Sequence, residues 1–160
     1  MRTSRPSAYL LTFRTYGTWL HGDARGSQHH RETAYGTPLL APSDRWQAAE
    51  RSLMRQPPVL LDRAARDVVE RVASEVCAHR GWMLQAANAR TNHVHAVVSA
   101  PRDPDDILST IKAWATRRLV EAGLFERGTH VWSRHGSTVY LWSQESLERA
   151  LWYVEHAQDG

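Results

Sequence analysis

His93-Val94-His95 opens an apolar run that continues as Ala96-Val97-Val98. Side chains alternate along a strand, so in extended backbone both imidazoles emerge on one face, with Cα atoms about 6.5–7 Å apart. Two imidazoles at that spacing can converge on one cation, with N–metal bonds of about 2.0–2.2 Å. A bound metal needs a third protein ligand, and a catalytic one keeps an open position. By itself the spacing also describes two histidines on a half-exposed strand. A second group lies near the end of the chain. ESLERALWYVEHAQDG, residues 145–160, carries Trp152, Tyr153, His156 and Gln158. Tyr153 sits beside the apolar stripe of this segment rather than opposite it, which suits a hydroxyl pointing along a sheet or a packing ring. A phenol has an ordinary pKa of about 10, so a tyrosine nucleophile needs help to lose its proton. Ser133, Ser137 and His135 make no hydrolase triad, because no acidic orienter and no nucleophile elbow accompany them. Cys77 falls within an apolar helical stripe and reads as core.

These groups need elements to hold them. Residues 8–16, AYLLTFRTY, read as a strand. Residues 17–45 hold several glycines and prolines with His29, His30 and Arg31, a connection longer than ordinary loops. A short helix is expected over 44–55, stopped by Pro57-Pro58. Leu61, Ala65, Val68, Val69, Val72 and Val76 recur at helical spacing, so 62–80 is a helix with Asp62 as cap and Arg80-Gly81 as its end. Residues 82–90 and 93–99 read as two strands joined through Thr91-Asn92 as a hairpin. Asp103-Pro104 opens another helix, striped by Ile107, Leu108, Ile111, Ala115 and Leu119 and closed by Gly123. Short strands are expected at 129–132 and 137–142, and a last helix from Gln144 to about Ala157. Together these predict one α+β domain over 1–160. It is a ferredoxin-like or RRM-like antiparallel sheet with helices packed on one face, plus a long N-terminal loop insertion at 17–58. Such a fold alone implies no function.

Composition narrows the classes. At 160 residues with 42% hydrophobic and 23% charged residues, the chain is globular in character. One cysteine excludes an intramolecular disulfide framework. No apolar run approaches the roughly 20 residues that span a bilayer, so a cytoplasmic protein with no membrane partner is expected. The net charge is +3, and its excess lies in the first 60 residues. Only Lys112 among the 20 basic residues is lysine. Arginine makes bidentate phosphate contacts and stacks on bases, so nucleic acid is an admissible partner. Trp19 and Trp142 could stack on extruded bases or pack in the core. In the loop after the first strand, His21, Asp23 and Arg25 could approach nucleic acid or complete the site; a Gly-rich turn with solvated charges explains Asp23 slightly better, while Arg25 leans towards phosphate contact.

TNHVHAVVSA at 91–100 resembles the HUH strand of single-tyrosine transposases, and the single tyrosine of their C-terminal helix matches Tyr153. LTFRTYGTWLHGDARGS at 11–27, VCAHRGW at 76–82 and WSRHGSTVYLW at 132–142 are similar to insertion-sequence transposases and REP-associated tyrosine transposases. The resemblance runs over about residues 8–160. It implies His93 and His95 as metal ligands for Mg²⁺ or Mn²⁺, and Tyr153 as the nucleophile. The family adds a polar third ligand one helical turn after the tyrosine. Here that position is Ala157, which cannot ligate. His156 lies about 60° from Tyr153 around an ideal helix and Gln158 about 140°. Helical geometry favours His156 and the resemblance favours Gln158, which is taken first.

The resemblance further implies cleavage and rejoining of single-stranded DNA, at hairpin ends, through a 5′-phosphotyrosine link. It places the protein in a bacterial-type cytoplasm, associated with the nucleoid. Two cleavages per transposition admit a homodimer, although some relatives work as monomers. Arg14, Arg25, Lys112, Arg117, Arg118 and Arg134 are the candidate phosphate contacts, with Arg31 beside them. Two alternatives stand. One is a non-catalytic nucleic-acid-binding module of the same fold, which the Ala157 departure favours. The other is a hydrolase that uses a metal and water.

Overall fold

The computed structural model describes residues 5–18 and 56–156. The expected helix at 44–55, most of the 17–58 insertion, Trp19, His21, Asp23, Arg25, Arg31, Ala157 and Gln158 lie outside the described residues.

Four strands and three helices follow in the order strand, helix, strand, strand, helix, strand, helix. They are β1 (Ala8–Arg14), α1 (Arg63–Arg80), β2 (Met83–Ala89), β3 (His93–Ser99), α2 (Pro104–Glu121), β4 (Ser137–Leu141) and α3 (Gln144–His156). The sheet is antiparallel, in the order β2-β3-β1-β4. The expected strand at 129–132 reduces to a single bridge between Thr15 and Trp132.

The helix ends follow local chemistry. Asp62 caps α1 by accepting from the Ala65 amide at 2.9 Å, and Gly81 closes it at φ 74°, a left-handed conformation that costs glycine least. Asp103 caps α2 by accepting from the Asp105 amide at 2.8 Å, with Pro104 in the first turn where no amide is needed.

Two apolar clusters lie on the two sides of the sheet. Tyr9, Leu11 and Phe13 of β1 and Val94, Ala96 and Val98 of β3 pack with the stripes of α1 and α2. Phe13 meets Trp132 edge-on with ring centroids 4.9 Å apart. The alternate residues Ala8 and Val97 pack with Leu141 and with Leu147, Ala150 and Val154 of α3. The expected packing on one face therefore describes α1 and α2, while α3 covers the other face. This matters for the site, because His93 and His95 alternate with Val94 and so share the α3 face with Val97. Covering both faces leaves β3 buried from His93 through Val98.

Candidate active site

The histidine pair is built by β3 and flanked by β1 and β2. The register sets Thr12 of β1 and Asn88 of β2 on either side of His95. Arg14 faces His93 directly. His93 and His95 are 8% and 5% exposed, with ring centroids 4.7 Å apart. Each Nδ1 is engaged by a neighbour. His93 Nδ1 donates to Asn92 Oδ1 at 2.8 Å, and His95 Nδ1 shares a hydrogen bond with Thr12 Oγ1 at 2.9 Å. These bonds orient both rings, and at His93, whose Nδ1 must carry the proton it donates, they leave ligation to Nε2, as in histidines that bind metals.

Helix α3 brings Tyr153 over this pair. Its ring meets His95 edge-on, with centroids 5.2 Å apart at 71°, and the residue is 46% exposed. The tyrosine is thus reachable from solvent while its ring rests on a buried histidine. Two things hold the helix there. Leu147, Ala150 and Val154 insert into the second cluster. Asn88 Nδ2 donates to the Val154 carbonyl at 2.9 Å, satisfying a carbonyl in the last turn, where helices run out of partners.

The other expected residues are distributed as follows. His156 turns toward Trp152, stacking on its indole at 4.5 Å and donating from Nδ1 to the Trp152 carbonyl at 2.9 Å. Among the described residues, no three His, Cys, Asp or Glu side chains cluster to hold a metal, so His156 does not complete the histidine pair as ideal helical geometry suggested. Arg14 is the one expected basic residue among the described residues that the register places beside a site histidine. Lys112, Arg117 and Arg118 belong to α2, on the opposite side of the sheet. Lys112 Nζ donates to the carbonyls of Ser133 at 3.1 Å and His135 at 2.5 Å, and burial pulls its pKa down to about 8. His135 stands at φ 68°, a strained value for a non-glycine residue, and Lys112 holds its carbonyl. Arg118 pairs with Glu75 and Glu121, and Arg117 lies over the Trp114 ring. Arg134 is exposed on an open groove of about 460 Å³ shared with Lys112, His130 and Trp132. Trp142 is exposed and stacks on Tyr140, with centroids 6.0 Å apart.

Thr12, Asn88 and Asn92 were not singled out in the sequence. Asn92 could have been, as the polar residue directly before His93. Thr12 and Asn88 reach the site through strand register, which spacing along the chain does not reveal.

No curated protein matches the sequence significantly. Among solved structures, a candidate transposase from Deinococcus radiodurans R1 superposes with a TM-score of 0.53 at 16% identity, covering 100% of both chains. At that identity the likeness speaks for the fold. A REP-associated tyrosine transposase bound to a REP hairpin gives a TM-score of 0.48 at 10% identity, over 96% of this chain and 68% of that one. The sequence model for IS200-like transposases matches residues 55–157, more than half of the chain, including both site histidines, Asn88 and Tyr153. The chain therefore belongs to the IS200-like transposase family.

Proposed function

We propose that the protein cleaves and rejoins single-stranded DNA at hairpin ends through a covalent 5′-phosphotyrosine link on Tyr153, with a divalent cation bound by His93 and His95. The observation that supports this best is the half-exposed Tyr153 ring lying 5.2 Å from the buried His95 ring, which itself lies 4.7 Å from His93.

The donor set fits a cation. Both imidazoles have Nδ1 engaged, so two Nε2 atoms from one strand face are the natural ligands. Gln158, two residues past the described end of α3, is the proposed third ligand. Imidazole and amide donors leave open positions and admit several divalent cations; Mn²⁺ accepts imidazole more readily than the harder Mg²⁺. When bound, such a cation withdraws charge from a nonbridging oxygen of the scissile phosphate.

The chain's own residues do the rest. Tyr153 Oη attacks phosphorus in line; the Oη–P bond forms as the bond from phosphorus to the 3′ oxygen breaks. The phenol gives up its proton and the leaving 3′ oxygen takes one up. Thr12 and Asn92 keep the imidazoles oriented, and Asn88 keeps the last turn of α3 over them. The phosphotyrosine conserves the energy of the broken ester, so attack by another 3′ hydroxyl reseals the strand without a nucleotide cofactor. A pair of chains would supply the two tyrosines that two cleavages use.

A labelled pool of single-stranded hairpins with randomised flanks, incubated with protein and Mn²⁺ and run under denaturing conditions, tests the proposal. A covalent protein–DNA band that disappears in Tyr153→Phe and with chelator is expected. Cutting without a band would overturn it in favour of water as nucleophile. Binding without cutting by any member of the pool would overturn it in favour of a pure binding module.

A further inference from the structure

The histidine strand lies between two arginines. Arg14, the last residue of β1, pairs with His93. On the other side, Ala89 pairs with Val94, and the next residue, Arg90, donates its amide to the His93 carbonyl at 2.7 Å. Ala89 and Val94 both face the α1 and α2 core, so strand alternation sets Arg90 on the opposite face, with His93. The result is a cross-strand row, Arg90–His93–Arg14, one step from the row Asn88–His95–Thr12. Neighbouring strands lie about 4.8 Å apart, so the two arginine backbones stand about 10 Å apart with His93 midway. Each arginine is partly buried, and Arg14 Nη1 and Arg90 Nε are shielded from solvent.

Register thus starts two arginine side chains on either side of a buried histidine, on the face that also carries Tyr153. Guanidinium is planar and presents paired donors that match phosphate oxygens. Its weaker hydration makes it the cation best suited to partial burial. Arginines on a surface helix would contribute mainly through screened charge; here the sheet register fixes where both side chains start.

We propose that Arg14 and Arg90 form a two-armed cradle for backbone phosphate across His93, holding the strand beside Tyr153. This rests on the DNA-cleaving reading of the site and adds Arg90, whose place is set by register alone. Arg14 ends β1 and Arg90 directly follows the last residue of β2, so neither arm comes from the 19–55 segment.

The test uses the full chain and thymidine 3′,5′-bisphosphate as probe, at constant pH, with the imidazole CH resonances of His93 and His95 followed by NMR. The probe has no scissile link to a second nucleotide, so binding is read without cleavage. In the wild type both histidines are expected to shift in a saturable way. Arg14→Gln and Arg90→Gln should each weaken the probe about tenfold, the scale of one charged hydrogen bond. Arg14→Lys and Arg90→Lys should recover part of it, while Arg149→Gln on the outer face of α3 should match the wild type. Thermal midpoints within 2 °C or so of wild type show that a Gln variant is folded; the Lys variants serve where one is not. Histidine resonances that ignore the probe, or respond equally in folded Gln variants, would overturn the cradle. Retention of the covalent band by Tyr153→Phe would instead overturn the cleavage reading and leave the cradle standing.

Discussion

Asn88→Ala should slow covalent adduct formation more than it weakens DNA binding. The Asn88 amide donates to the Val154 carbonyl at 2.9 Å, and this bond joins the strand beside His95 to the turn that carries Tyr153. A hydrogen bond of this kind contributes about 1 kcal/mol net. Since 1.4 kcal/mol is tenfold, its loss lowers the ratio of docked to undocked turn by a factor of about 5, which bounds the slowing it can cause. The helix itself stays, because Leu147, Ala150 and Val154 remain buried, and truncating one such aliphatic residue costs more than the hydrogen bond does. Asn88→Asp should be worse than Ala, since it sets a carboxylate against a carbonyl oxygen with no donor between them. Single-turnover adduct formation with saturating single-stranded DNA and Mn²⁺ reads the effect, and anisotropy reads binding. The expected order is wild type, then Ala slower by up to about fivefold, then Asp slower still, with dissociation constants within about twofold. Adduct rates equal in all three proteins would refute the argument that this hydrogen bond positions the tyrosine.

Gly136→Ala should destabilise the fold by about 1–3 kcal/mol, because the new Cβ would stand 2.6 Å from the Thr12 carbonyl oxygen and 2.9 Å from Leu108 Cδ1, forcing β1 and β4 apart; a chemical melt checks it. Lys112 titrates at about 8 in the folded chain, whereas an unfolded lysine titrates at about 10.4. Between those values the unfolded chain binds more protons, so stability from this position rises with pH over about 8 to 10; a thermal-midpoint series in which Lys112→Met lacks that rise checks the sign. Cys77 is buried and burial pushes its thiol up to about 11, so thiol reagents at pH 8 should label it far faster in denaturant than in the native protein.

Much of this was readable before the structure, for local reasons. Asp62 and Gly81 bracket α1, Asp103 and Pro104 open α2, and the strand from His93 to Ser99 falls where the apolar run begins and ends. His93 and His95 share a face because of strand periodicity alone. The partners of those histidines were harder to see, since Thr12 and Arg14 lie some 80 residues away and meet β3 only through register. The side of the sheet taken by α3 was also missed. Its stripe of Leu147, Ala150 and Val154 shows that one side is buried but not against which face. A signal was present, however: AYLLTF and AVV are near-continuous apolar runs, which mark strands covered on both faces. His156 departs from ideal helical reasoning because its ring finds a local aromatic partner in Trp152.

The central claim is that Tyr153 becomes joined to DNA. Its most direct test is mass spectrometry of the tryptic peptide that carries residue 153, after reaction with a hairpin pool and nuclease trimming. The account predicts a mass increase of a 5′-linked nucleotide on Tyr153, dependent on divalent metal and on both His93 and His95. An unmodified peptide alongside cleaved DNA, or a nucleotide on any other residue, would contradict it.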